Sequence, residues 1–340
     1  MDYQIIQEAA LDNTNILDED TRAHYFCTPK DGRKKNKAVS SPGNFCIAFP
    51  MKSNIGENRL CYRIWYTEEF KEKRFDEIAE HVSRYIKHCH LPYFIDYTFL
   101  RKAIKAGGKE LPGVKMEWID GMKLDEYIKK HKDRNSLLKL AEKFMEMCKQ
   151  FKEAGIAHGD LSNSNMLILP NGEIRLIDYD SVYVPSMTDK YFQTTSGQSA
   201  FQHHQRENLS LKSSPNDDNF SQQIIYLSLL VLANNPTFVE RISDKELLFT
   251  SIELKSVGNF KNKTYDEIKR LNVPEISARL EELATAISGP ISEVRSIVDF
   301  EMPETSKFIM ANYCGICGHH FNNQTDLFCP DCGTKRVTLL

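Results

Sequence analysis

A chain of 340 residues, 41% hydrophobic and 27% charged, is long enough for one large two-lobed unit plus a small module. Forty-four basic and 47 acidic residues leave a net charge of −3, which gives no general drive toward nucleic acid or an anionic membrane. The longest strongly apolar run, 224–233 (IIYLSLLVLA), is too short to span a bilayer and contains Ser228. The opening MDYQIIQEAALD lacks the basic start and apolar run of a signal peptide. Cys27, Cys46, Cys61, Cys89 and Cys148 are scattered, which suits a reducing compartment, so a cytoplasmic protein is expected.

Residues 1–37 are polar and read as an irregular N-terminal extension, a peripheral wrap or partly flexible. Their basic run (Lys30, Arg33, Lys34, Lys35, Lys37) reads as a solvated loop. Residues 45–52 and 60–67 read as two strands joined by a turn at 53–58. Residues 68–90 read as a helix with Phe75, Ile78, Ala79, Val82, Tyr85 and Ile86 on one stripe. Further strands are expected at 91–100 and 114–118. Helices are expected at 135–154, at 218–233 and over most of 245–288. Strands first and helices afterwards predict an α+β chain, with a β-rich small lobe over 38–118 and a helical large lobe over 119–290. A Pro-punctuated linker, 291–311, precedes a Cys-rich module at 312–340.

The densest chemistry lies at 157–180, AHGDLSNSNMLILPNGEIRLIDYD. Two apolar runs flank a Pro-Asn-Gly turn and predict a hairpin. Its open ends carry Asp160, Asn165 and Asp178, which the hairpin brings to one edge. That set suits phosphoryl transfer. One carboxylate orients a hydroxyl nucleophile, while an amide oxygen and a second carboxylate hold Mg²⁺ on a triphosphate.

The segment resembles the catalytic and metal-binding loops of protein kinases, H-R-D-L-x-x-x-x-N followed by D-F-G. The resemblance implies a two-lobed kinase-like fold, ATP and Mg²⁺ as cofactors, Asp160 as catalytic base, and Asn165 and Asp178 as Mg²⁺ ligands. It extends unevenly over 38–290. Ser41-Pro42-Gly43-Asn44-Phe45 stands at the Gly-rich loop, with Gly43 the one glycine left. Arg63 stands at the phosphate-binding lysine, and Lys52 is an alternative source of that cation. Glu80 or Glu77 is the expected helix partner. Met116, Glu117 and Trp118 look like the gatekeeper and hinge, whose backbone holds adenine. Gly121 and a helix from Leu124 follow as in the family. Asp218-Asn219-Phe220-Ser221 resembles the D-x-W-S start of the central helix, whose Asp braces the catalytic loop; a plain helix N-cap is the alternative reading.

Three departures stand out. Gly159 replaces the arginine of H-R-D, so the hydroxyls of Thr194, Thr195, Ser196 and Ser199 are not expected to require phosphorylation. Ser162 replaces a lysine that contacts the γ-phosphate. D-F-G becomes Asp178-Tyr179-Asp180, which disfavours a loop flip and leaves Asp180 near the metal. His158 reads as structural. The stretch 181–206 is long enough to be a peptide-binding segment, and Phe201–Glu207 stands at A-P-E. The leading expectation is ATP- and Mg²⁺-dependent transfer to Ser/Thr hydroxyls of a protein. A nucleotide-binding pseudokinase scaffold and a small-molecule kinase of the aminoglycoside or choline type are the alternatives. YQIIQEA, PGNF and M-E-W-I-D-G also look like bacterial kinase-like proteins associated with phosphatase and von Willebrand-type partners.

In the tail, Cys314 and Cys317 form one C-x-x-C-G knuckle, and Cys329 and Cys332 another, eleven residues apart. Four thiolates at this spacing predict a zinc ribbon, with Gly318 and Gly333 allowing the turns. So short a module buries little core, so Zn²⁺ supplies the folding energy. His319 and His320 read as surface residues. The ribbon is expected to dock a protein partner, and no basic stripe marks it for nucleic acid.

Overall fold

The structure, a computed structural model, describes residues 2–30, 37–43, 45–187, 191–207, 211–303, 313–314, 319–321, 328–333 and 336. Arg33, Lys34, Lys35, Asn44, Cys317, Gly318 and much of the expected linker lie outside them. The small lobe is built on one antiparallel sheet. Its strands are β1 (Tyr25–Cys27), β2 (Ser41–Pro42), β3 (Cys46–Ser53), β4 (Arg59–Trp65), β5 (Tyr97–Ala106) and β6 (Lys109–Glu117). They run in the order β1-β3-β4-β6-β5, with β2 paired on β3.

Both faces of this sheet are covered, and the period-two alternation of β3 and β4 assigns the residues to each face. Ile47, Phe49 and Met51 with Leu60, Tyr62 and Ile64 form the outer face. Ile6, Ala10 and Ile16 cover it, carried by α1 (Tyr3–Ala9) and the segment behind it. The helix α2 (Glu19–His24) follows and is tied to β6, where Lys115 Nζ reaches Asp18 at 2.9 Å and Asp20 at 3.0 Å. The N-terminal extension is therefore a peripheral wrap, as expected, but a helical rather than an irregular one, over an apolar sheet face. Its apolar residues are too few and too spread to show a periodic stripe.

On the inner face, Cys46, Trp65, Val114 and Met116 join the main core. The helix expected over 68–90 is broken into α3 (Glu69–Glu72) and α4 (Phe75–His88), with Arg74 between them at φ 57°. Phe70 and Phe75 are both buried against the core. On one continuous helix, residues five apart point about 140° away from each other, so the break is what buries both. The strand expected from residue 91 begins only at Tyr97. The Tyr93 carbonyl accepts Leu176 N–H at 2.8 Å, and Ile95 N–H donates to the Tyr179 hydroxyl at 2.9 Å. Those backbone groups are committed to the large lobe. β5 and β6 join at Gly107–Gly108, both at positive φ, so β6 begins earlier than expected.

The large lobe follows: β7 (Met122–Lys123), α5 (Leu124–Lys130), α6 (Arg134–Ala154), β8 (Met166–Ile168), β9 (Ile174–Leu176), α7 (Asn219–Asn234), α8 (Ser251–Lys255), α9 (Lys263–Lys269) and α10 (Pro274–Ser288). α6 is capped by the Asp133 carboxylate on Ser136 N–H and ends at Gly155, φ 65°. α7 is buried nearly all round, between α6 and α10. β7, β8 and β9 form a small antiparallel sheet facing the small lobe. No helix among the described residues is long and apolar enough to cross a membrane.

The cover on the outer face is testable. Ile6 is fully buried and Ile5 is 41% exposed. We expect Ile6→Ala to lower stability by about 2–4 kcal/mol and Ile5→Ala by less than about 1 kcal/mol, read from urea midpoints.

Candidate active site

β8 and β9 pair in the expected hairpin, with Met166 opposite Leu176 and Ile168 opposite Ile174. The turn is closed by Leu169 N–H on Glu173 O at 2.9 Å and by Gly172 N–H on Leu169 O at 2.8 Å. Its open end faces a cleft of about 1000 Å³ between the sheet and the large lobe. Asp160, Asp178 and Asp180 line this cleft from below. Gly43, Phe45, Cys46 and Arg63 line it from above, and Met116, Glu117 and Trp118 close its end. Asn165 lies under the cleft beside Asp160. Its Nδ2 donates to the Asp160 carbonyl at 2.8 Å and to the Asp160 carboxylate at 3.2 Å. With Nδ2 so held, the amide oxygen, which accepts the Ser164 hydroxyl at 3.3 Å, is the atom a cation would take, and oxygen is what Mg²⁺ takes. The residues present therefore fit Mg²⁺, with Asn165 Oδ1 and the half-exposed Asp178 carboxylate as the holders.

The backbone of the 158–160 loop is braced from beneath. The two oxygens of buried Asp218 accept His158 N–H and, at 2.8 Å, Gly159 N–H. Asp218 makes no side-chain cap bond to α7, so bracing is the role it fills. His158 is fully buried, with Nε2 3.0 Å from Ile177 O and Nδ1 3.4 Å from Asp160 N. That geometry fits an Nε2–H tautomer which only positions the loop. Gly159 is required by space: its φ is 77°, and a Cβ there would stand 2.1 Å from Ser181 O. The missing H-R-D arginine therefore has a steric cause. Buried Arg206 does a different job from the other side, donating to the Gly159 carbonyl and, at 3.1 Å, to the Asp217 carbonyl.

The Arg63 position is occupied by a bridge between lobes. Its NH1 donates to Asp178 Oδ1 at 2.9 Å, its NH2 donates to Asp180, and its Nε points at Cys46 Sγ at 2.7 Å. Burial is the largest influence on Asp180. With the like charge of Asp178 it outweighs Arg63 and pushes the carboxyl from 3.8 up to about 6. Burial also raises Asp160. Asp178 sits at φ 67°, a strained conformation for a non-glycine residue. Tyr179, fully buried, anchors it by donating to Leu176 O at 2.7 Å.

Three expected residues are not brought to this place. Glu80 pairs with Arg101 on the lobe surface, and Glu77 pairs with Arg74 and accepts the Tyr191 hydroxyl at 3.0 Å. The expected helix partner for Arg63 is thus replaced by Asp178 and Asp180. Lys52 is exposed near the end of β3, opposite Arg59, outside the cleft. Gly43 lines the cleft, but its position is open to a side chain, since a Cβ meets nothing nearer than 3.5 Å. Its N–H donates to Cys46 O at 2.8 Å, so a tight turn stands where a glycine-rich loop would. At the hinge, Glu117 N–H is committed to Asp96 O at 3.0 Å.

Sequence reasoning missed Arg206 and Gly197. Gly197 (φ 70°) packs against Asp160, where a Cβ would come within 2.6 Å of Oδ1. The next residue, Gln198, donates its N–H to that same oxygen at 3.1 Å. No sequence period marks either.

In the tail, the sulfurs of Cys314, Cys329 and Cys332 lie within 4.8 Å of one another, with Cys314 and Cys332 Sγ 3.5 Å apart. Tetrahedral zinc with bonds near 2.3 Å separates its sulfurs by about 3.8 Å, so the donor set fits Zn²⁺. Cys317, the expected fourth ligand, is outside the described residues. Among the described residues this is the one set of three or more ligand side chains so close together.

A family model described as the ABC1 atypical kinase-like domain matches residues 114–197, about a quarter of the chain. The match runs from β6 through the hinge and hairpin to Gly197. No curated protein matches the chain.

Two outcomes are expected here. Gly159→Ala should cost about 3 kcal/mol or more, while Gly108→Ala (φ 76°, in open space) should cost about 1–2 kcal/mol in urea unfolding. Asp180 takes up its proton more readily folded than unfolded. Its contribution to stability is therefore complete below pH 4 and lost as pH rises through about 6. Melting temperatures taken every half unit should show wild type losing stability relative to Asp180→Asn between pH 4 and 6. A difference that is constant with pH would mean an ordinary carboxyl.

Proposed function

We propose a catalytic role for this chain, which belongs to the protein-kinase-like superfamily: it transfers the γ-phosphoryl group of ATP to a Ser or Thr hydroxyl of a protein. The observation that carries this reading is the braced edge of Asp160, Asn165 and Asp178 at the floor of the cleft. Adenine would lie against the Met116–Trp118 backbone. Asp160 would orient the acceptor hydroxyl and take up its proton as the new P–O bond forms and ADP leaves. Arg63 would hold the triphosphate once its grip on the two aspartates loosens. Asn165 and Asp178 would hold Mg²⁺, which would supply charge neutralisation on the phosphates.

A second reading, a nucleotide-binding scaffold, draws on one observation: Asp178 is already engaged by Arg63. The match to an atypical kinase-like family also keeps small-molecule acceptors open. For the tail, we propose a zinc ribbon that docks a protein partner. A phosphatase or von Willebrand-type protein is the candidate offered by resemblance alone. The scattered free cysteines support a cytoplasmic setting.

The test is incubation of the purified chain with Mg²⁺ and [γ-³²P]ATP, with and without a general protein substrate. We expect label on protein that falls at least about a hundredfold in Asp160→Ala and Asp178→Ala. Heat protection by ATP without any transfer would favour the scaffold or a small-molecule acceptor.

A further inference from the structure

Beyond the residues considered so far, the cleft holds a cation that no kinase motif supplies. Three basic side chains line it: Arg63, Lys73 and Lys123. Arg63 is committed to Asp178 and Asp180. Lys123 sits on β7, past the hinge. Lys73 stands at the break between α3 and α4, and its Nζ rests 4.3 Å from the centre of the Phe45 ring. Phe45 belongs to the turn that roofs the cleft. Among the described residues, no carboxylate pairs with Lys73.

The charge balance shows why this matters. Asp160, Asp178 and Asp180 against Arg63 leave the floor of the cleft negative. A triphosphate is itself strongly anionic, so it needs cations from elsewhere. The roof has one glycine and a closed turn in place of a run of amides that could cradle phosphate. Ser162, at the position of the γ-phosphate lysine, is fully buried with its hydroxyl 3.0 Å from that of Ser164. A lysine held only by an aromatic face, on a flexible four-carbon stem, is free to exchange that face for phosphate oxygens. The left-handed Arg74 makes the break that aims Lys73 inward.

We propose that Lys73 is the second phosphate-binding cation of this cleft, its ammonium leaving the Phe45 ring for the β- and γ-phosphates of bound nucleoside triphosphate. The proposal rests on the nucleotide-binding part of the reading above and does not need phosphoryl transfer.

Calorimetric titration of the full zinc-loaded chain with Mg·ATP, Mg·ADP and adenosine tests it. Lys73→Met should weaken ATP about tenfold or more, ADP less, and adenosine not at all; Lys73→Arg should keep ATP within about threefold. Unchanged adenosine binding also reports that the variant is folded. Equal losses for ATP and adenosine would mean that Lys73 only packs beneath the roof, and full ATP affinity in Lys73→Met would mean that it makes no phosphate contact; either overturns the proposal alone. A wild type that binds no nucleotide would overturn both the proposal and the nucleotide reading.

Discussion

The buried guanidinium of Arg63 is the point on which the two lobes depend. It comes from the middle of β4 and grips carboxylates 115 and 117 residues further along the chain. Removing either side alone would leave a charge buried without its partner, which is far more costly than the pair is stabilising. The bridge also fixes which face of β4 looks into the cleft. Tyr62 and Ile64, its neighbours in sequence, must then face the N-terminal cover. One ion pair therefore constrains the strand register, the cover over the outer face and the conformation of Asp178.

Beneath that bridge the 158–160 loop is held by three buried polar side chains. Asp218 takes two successive backbone amides, His158 spans to Ile177, and Arg206 takes the Gly159 carbonyl. Each fixes backbone rather than side chain. This is how Asp160 and Asn165 can stay in place although they lie in a loop before a strand only three residues long. A loop fixed in this way spends little free energy on reorganisation when charge develops beside it.

What was legible in the sequence follows from how local each signal was. The hairpin at 166–176 was visible because two apolar runs flank a turn, and its acids fell at its open end as their spacing required. The long helix α6 and the buried α7 announced themselves by period and by apolar content. The break at Lys73–Arg74 was not visible, because the polar residues before the stripe that begins at Phe75 suit a helix turn, and only the shared burial of Phe70 and Phe75 forces the kink. Tyr93 and Ile95 looked like strand residues, yet their backbone groups bond to the large lobe, a pairing that no local pattern encodes. Arg206 and Gly197 act on Gly159 and Asp160 from some forty residues away. Arg63 was found by its place in a strand, whereas its partners were sought on the wrong element.

That last displacement has a physical logic. In this chain α4 spends its acids elsewhere: Glu77 on Arg74 and Tyr191, Glu80 on Arg101. The helix is fastened to the segment after the hairpin through Tyr191 and through His81, whose Nδ1 lies 2.8 Å from the Ser186 hydroxyl. Its third acid, Asp76, accepts Glu77 N–H at 3.0 Å; none of the three lines the cleft, and the cation of β4 turns to the floor. A lysine there would have met two carboxylates with one compact charge, whereas the planar fork of arginine meets both at once. The substitution of Arg63 and the loss of the glycine at Asp180 are thus two halves of one arrangement. The extra carboxylate gives the second arm of the fork its acceptor, and the fork in turn stabilises the charge that Asp180 would otherwise give up on burial.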